Sequence, residues 1–334
     1  MTVDFSLTLP ALELSSLTRS VLADCTDPWP ALAAAGILAA GVPERAGGDG
    51  YGLIDQLAVL VELGRAASPA PYLESIVLGT GAIAAFGTDA QVRRWAAPAA
   101  HGELLITAVL EEPYAAGIWA AVPSGATAGL FLVPTGDEVA CVLADDPGVT
   151  VRPQELIDGP GAAELELASL RRDEDRLLPP PAARWLADRA IVGLCALQLG
   201  VAERALELTA EHAKTRQQFG RPIGAFQAVA QRLADAYIDV EAMRLTLWQA
   251  AWLLDAGLPC VAEIATAKFW AAEGGHRVAH TAVHVHGGTG IDVSHPVHRY
   301  FTAAKRNEFA LGGATTQLRR LGTELAASAT SSSD

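Results

Sequence analysis

Cysteine is scarce in this sequence, and the few cysteines form no pattern. Cys25, Cys141, Cys195 and Cys260 stand far apart without CxxC spacing. That excludes a zinc site or a disulfide frame as the organising device and points to reduced thiols. Aromatic residues make up only 6% of the chain, so Ala, Leu and Val must build the core, and abundant Ala favours helices. Positive charge is also short: 24 Lys and Arg against 38 Asp and Glu leave −14. This argues against nucleic acid or an anionic membrane as the main partner, although a few placed Arg and backbone N–H groups can still hold an anionic cofactor. The opening segment Met1 to Pro10 has neither a basic region nor a signal-like apolar run. The longest apolar stretch, Ala190 to Ala202, contains Gln198 and is too short for a bilayer. It reads as a buried helix, and the expected home is the cytoplasm. At 334 residues, 51% of them hydrophobic and 19% charged, the chain is globular and long enough for two or three domains.

Three zones follow along the chain. Residues 1–102 read as helices broken at Pro28-Trp29-Pro30, at Pro43 to Gly52 and at Ser68-Pro69-Ala70-Pro71. Residues 103–178 carry short β-type runs at Leu104 to Leu110, Leu130 to Pro134, Glu138 to Leu143, Gly148 to Arg152 and Glu164 to Leu167, with Gly, Pro and Asp between them. Pro179-Pro180-Pro181 closes this region as a stiff linker. Residues 182–327 are helical again, as Ala182 to Arg216, Gly224 to Ala256, Pro259 to His286, and Pro296 to Ala304 followed by Gln317 to Ala327. Long helices joined by short loops make a bundle. The Ser-rich end, 328–334, reads as a disordered tail. The fold class is mainly α with a small β domain.

Two segments carry possible chemistry. The first, Arg216-Gln217-Gln218-Phe219-Gly220-Arg221-Pro222-Ile223-Gly224-Ala225-Phe226-Gln227, lies between two long helices. An Arg at a helix end beside an exposed Phe and a Gly could hold a phosphate and stack on an aromatic ring. The competing reading is a plain helix hairpin with Gly220 as cap, Pro222 as stop, and Phe219 and Phe226 in the core. The second segment is His284-Val285-His286-Gly287-Gly288-Thr289-Gly290, whose glycines let backbone amides approach a ligand; a plain helix terminus reads the same way.

In this order and spacing, the two segments resemble the acyl-CoA dehydrogenase family. Val42-Pro43-Glu44 with Gly47-Gly48, and Glu62-Leu63-Gly64-Arg65, are similar to its N-terminal helical domain. The resemblance implies an N-terminal helical domain, a middle β domain, a C-terminal four-helix bundle and FAD shared across a subunit interface. It also implies that Arg216, Gln218, Phe219, His284, Gly287 and Gly288 reach the ADP half of a neighbour's FAD. His284 stands where the family has Gln, and it can still donate one hydrogen bond.

The departures from the family pattern matter as much. The family's catalytic carboxylate position falls on Leu311, within Phe309-Ala310-Leu311-Gly312-Gly313-Ala314. The alternative position used by some members falls on Ala190, with Asp188 two residues away as a rescue. Neither Leu nor Ala can take a proton. Where the family's flavin strand carries Thr and Ser, this chain reads Leu110-Glu111-Glu112-Pro113-Tyr114-Ala115-Ala116, and the isolated Trp119 reads as packing.

His298-Arg299-Tyr300 and Leu311-Gly312-Gly313 extend the resemblance to the smaller, base-lacking subunits of heterotetrameric acyl-CoA dehydrogenases, such as those of steroid side-chain degradation. The expectation is therefore a subunit active only with a homologous partner that carries the Glu. The substrate would be an acyl-CoA, and electrons would leave to an electron-transfer flavoprotein. The rivals are a self-sufficient flavoenzyme with a relocated base, Asp188 or Glu111, and a helical scaffold without flavin. His276, His280 and His284 are spaced for one helix face, but no acid accompanies them at matching spacing, so no metal is expected. The run Arg171 to Arg176 reads as a solvated loop, and Glu241 and Glu263 as surface or interface positions.

Overall fold

The structure is a computed structural model that describes residues 7–170 and 172–331. It is 62% helical with a small sheet region, the acyl-CoA dehydrogenase-like class that the sequence implies. The chain packs as two compact units.

One unit comprises Leu9–Val59 and Pro69–Gly193. Its first half is α1 (Leu9–Asp24), α2 (Pro28–Ala34), α3 (Ile37–Ala40) and the start of α4 (Leu53–Ala66). A π-helical stretch at Leu73–Thr80 then leads into α5 (Gly81–Phe86), and α6 (Asp89–Gln91) and α7 (Ala97–Ala100) complete it. Local chemistry sets the starts. Asp27 accepts the Trp29 N–H in front of Pro28, and Thr88 and Gln91 form a reciprocal capping box.

The β region forms two sheets. β1 (Ile106–Ala108), β3 (Leu130–Thr135), β4 (Glu138–Leu143) and β7 (Leu177–Leu178) make one, ordered β1-β3-β4-β7, with β1 and β3 parallel. The other is ordered β2-β6-β5, from β2 (Ile118–Val122), β5 (Val149–Leu156) and β6 (Gly159–Leu167), all antiparallel. Phe131, Val133, Ala140 and Val142 of the first sheet share a core with Val122, Leu165 and Leu167 of the second. Trp119 packs against that core from β2, a strand that the sequence did not announce.

The other unit comprises Leu60–Ser68 and the chain from Leu194 onward. It is the helix bundle. The helical stretches expected there appear as α8 (Ala182–Thr215), α9 (Gln227–Asp255), α10 (Val261–His286) and the pair α11 (Pro296–Phe309) and α12 (Ala314–Ser331). α12 continues to Ser331, four residues into the segment expected as a tail, and 332–334 lie outside the described residues. α8 is the one described helix long and apolar enough to cross a membrane, but 72% of its apolar window is buried within the protein, as in a core helix.

The Glu62-Leu63-Gly64-Arg65 segment shows why its residue types are there. α4 and α8 approach so closely that a Cβ on Gly64 would sit 2.1 Å from the Leu197 carbonyl oxygen, and one on Gly200 would sit 1.9 Å from that of Val61. Arg65 then bridges Glu203 and Glu207 at 2.7 Å each, Arg244 joins Glu203, and the Tyr300 hydroxyl donates to the Arg65 carbonyl at 2.8 Å. With Glu203 only 11% exposed, this network is partly desolvated, so removal of one partner would leave a poorly hydrated charge.

Candidate cofactor site

The two sequence motifs meet inside the bundle unit. His212, in the last turn of α8, stacks on His286, the last residue of α10, with ring centroids 4.3 Å apart. Each motif grows from one end of that stack.

From α8, the chain leaves the helix at Thr215 and forms a two-residue ladder, β8 (Gln217–Gln218) against β9 (Arg221–Pro222). Phe219 and Gly220 are the turn. Both have positive φ, +52° and +76°, the pattern of a type I′ hairpin, which normally calls for Asn, Asp or Gly. A bulky residue there costs on the order of 1–3 kcal/mol, yet Phe219 is 92% exposed. The hairpin-core reading of Phe219 therefore fails. Gly220 does not cap α8 either, because four residues separate it from Thr215. Phe226 is half-buried beneath the Arg221 guanidinium at 4.1 Å, and the Phe219 ring touches it edge-on at 6.1 Å. Arg216 is anchored through its backbone, donating to the His212 carbonyl and accepting from Ile223 N–H, both at 2.8 Å. Its side chain is exposed, and among the described residues no carboxylate pairs with it. Gln218 is exposed beside it.

From α10, Gly287 ends the helix at φ +65° and starts a 3-10 turn over Gly287–Ile291. Gly287 and Gly288 are exposed, with open space where a Cβ would stand, and His284 is exposed one turn earlier. The Gly287 N–H closes the helix on the His284 and Val283 carbonyls. An unpaired Arg, an outward aromatic ring and an open glycine pair with the Gly288 amide suit a diphosphate joined to a stacking base. These residues thus fit the ADP half of a flavin dinucleotide.

The base position is built differently. Leu311 lies between α11 and α12 with φ +58°, and its carbonyl and that of Gly312 both accept from the fully buried Gln317 side chain at 3.1 Å. Behind it, the fully buried Lys268 donates to the Asn307 and Glu308 carbonyls at 2.9 and 3.2 Å. One carboxylate stands close in sequence, and the sequence reading passed over it. Glu308 takes a 2.5 Å contact from Lys305 and a 3.1 Å contact from His276, so it is neutralised in place. His276 stacks on His280 at 4.3 Å, and His284 is not part of that pair. Among the described residues no group of three or more His, Cys, Asp or Glu is arranged to hold a metal.

In the other unit, Ala190 is 1% exposed on α8, and Asp188 is held by Arg184 Nε at 2.6 Å. The segment 111–116 is an exposed turn. Tyr114 there donates its hydroxyl to Glu164 at 2.7 Å, and this bond is the main reason that the phenol is held above its usual value. Glu164 is bound in turn by Arg152. No hydroxyl of a Thr or Ser lies in that turn, so the residues there do not fit the flavin ring.

Residues 183–326 match the family model "Acyl-CoA dehydrogenase, C-terminal domain" and residues 18–103 match "Acyl-CoA dehydrogenase, N-terminal domain". Acyl-CoA dehydrogenase FadE27 of Mycobacterium tuberculosis is 45% identical over 369 aligned positions, covering 97% of this chain and 99% of that protein. The chain belongs to the acyl-CoA dehydrogenase family. Among solved structures, a chain of the ChsE4-ChsE5 complex from Mycobacterium tuberculosis superposes with a TM-score of 0.90 at 44% identity, covering 97% of this chain and 99% of that one. A chain of the Tcur3481-Tcur3483 steroid ACAD G363A variant does so with a TM-score of 0.90 at 36% identity, covering 97% and 100%. Membership supports oxidoreductase chemistry on acyl-CoA thioesters and FAD as the cofactor.

Proposed function

We propose that this chain is the base-lacking subunit of a heteromeric acyl-CoA dehydrogenase. Its homologous partner would carry the catalytic Glu and cradle the flavin ring. The observation that carries this reading is the contrast between an exposed, preorganised Phe219 turn and a Leu311 loop with no proton acceptor. FAD, when bound, supplies the hydride acceptor for α,β-desaturation of an acyl-CoA. The work of this chain is to hold the far end of the cofactor. Arg216 offers a bidentate cation to the diphosphate, and Gly288 offers a backbone N–H group. Gly287, whose own N–H closes α10 on the His284 and Val283 carbonyls, leaves open space for close approach. His284 and Gln218 offer side-chain donors, and Phe219 stacks and excludes water. In this reading 1–102, 103–178 and 182–327 act as three domains, electrons pass to an electron-transfer flavoprotein, and the setting is cytoplasmic. Relatives described as steroid enzymes or as two-protein complexes favour a bulky polycyclic thioester and a second dehydrogenase chain.

A self-sufficient enzyme needs a free base, and Asp188, its best candidate, is tied to Arg184. Purification separates the readings. The chain alone should be colourless and should not reduce a dye with any acyl-CoA. Co-expressed with a homologue that has an intact Glu, it should yield a yellow complex with turnover. Turnover by the chain alone would contradict the proposal, and a colourless product with every pairing would leave a scaffold.

A further inference from the structure

Three histidine rings join the two loops of the clamp. His212 of α8 lies on His286 of α10 at 4.3 Å and 28° between planes, and His295, which precedes α11, meets His286 edge-on at 5.1 Å. His286 is 7% exposed. The hydrogen bonds fix which nitrogens carry protons. His286 Nδ1 donates to the Ala282 carbonyl at 2.8 Å. His295 Nδ1 accepts the Val297 N–H at 3.3 Å and so caps α11 with its lone pair. The cap depends on the Nδ1 lone pair, which a doubly protonated ring lacks.

We propose that the His212–His286–His295 stack is a proton-sensitive latch: uncharged, it holds the β8–β9 turn and the Gly287–Gly288 loop side by side, and charged, it releases them. The inference rests on the clamp reading for its effect on the cofactor, but not for its effect on the chain itself. Rings at stacking distance can share a site while at most one is charged, since like charges this close repel. Arg216, one turn beyond His212, adds a fixed positive charge. The other titratable groups around the stack are Asp292 and His298, on the segment and helix that carry His295. Asp292 is kept a carboxylate mainly by the Ser294 N–H and hydroxyl, which places its lone pairs on Ser294.

Burial, then the neighbouring His286, Arg216 and His295, holds the His212 ring below the usual histidine value; burial and His295 do the same for His286, against the pull of the Ala282 carbonyl. The folded state then binds fewer protons than the unfolded one. Its stability is complete above about pH 6.5 and is lost as the pH falls through the lower folded-state values.

The test compares the full chain with the double variant His212→Phe, His295→Asn, which keeps a stacking ring and a capping side chain without titrating either. Between pH 7.5 and 5.5, the protection factors of the amides over 217–221 and 287–291, which allow for the slower base-catalysed intrinsic exchange at low pH, should fall at least tenfold in the native chain and less than threefold in the variant. In the complex with its partner, FAD release should accelerate by the same contrast. Equal profiles for the two proteins would overturn the latch. If the exchange contrast holds while no pairing ever retains FAD, the latch stands and the clamp reading falls. Should the variant not fold, titration of the native histidine rings by NMR decides: His212 and His286 should titrate below free histidine, and titration at or above it would sink the proposal.

Discussion

Phe219 and Leu311 are both bulky residues forced into the left-handed region, at φ +52° and +58°, and they sit in turns of the same bundle. What surrounds them is opposite. Leu311 is half-buried, and its turn is stitched from inside by Gln317 and, one step back, by Lys268. Phe219 has almost no internal purpose: its ring is 92% in solvent. Backbone strain that the fold itself satisfies is structural. Strain that displays an aromatic ring to solvent needs a ligand or another chain to explain it. In the proposed reading, one loop is closed at the position of the family's base, and the other stands ready for a nucleotide.

The comparison sharpens first at the closed loop. Replacing Lys268 with Ala removes a buried charged donor and leaves two carbonyls and a cavity, so unfolding in urea should show a loss of roughly 3–5 kcal/mol. Gln317→Ala should cost about 2 kcal/mol by the same route, with faster exchange confined to 311–313. Neither effect should depend on cofactor. Phe219→Ala should leave folding stability within about 0.5 kcal/mol of the native chain, since nothing is uncovered. In the complex it should weaken FAD retention about tenfold, the scale of one lost aromatic contact of about 1.4 kcal/mol. A large stability loss would make Phe219 a structural residue and erase the contrast. Phe219→Gly should stabilise the isolated chain by up to about 1 kcal/mol, because Gly enters that region freely. Smallest of all, Leu311→Glu should give the isolated chain no measurable turnover, because under the proposed function a carboxylate there would face no flavin ring of this chain's own.

Much of this was readable in the sequence, for identifiable reasons. The helices of the bundle announced themselves by length and apolar spacing, and the paired strands by alternating or continuous β-branched runs. β2 escaped because Ile118-Trp119-Ala120-Ala121-Val122 is short and Ala-rich, and its pairing with β6 shifts register between Trp119 and Val122. The motif residues were legible as a set, but their exposure was not. Phe in a sequence reads as core, and only the turn type, set by pairing Gln217 with Pro222 and Gln218 with Arg221, turns it outward. His212 carried no signal at all, because its partner lies 74 residues away on α10 and only the fold brings the two helix ends together. Glu308 was missed because its neutralisation by Lys305 and His276 is a tertiary fact.

Flavin stoichiometry tests the central claim most directly. The co-purified complex of this chain with a homologous, Glu-bearing dehydrogenase should be measured for FAD by absorbance after denaturation, against protein by amino-acid analysis. One FAD for each pair of unlike chains is the result that the account predicts. Two per pair, or FAD held by this chain alone, would show that it cradles a flavin of its own and would contradict the account.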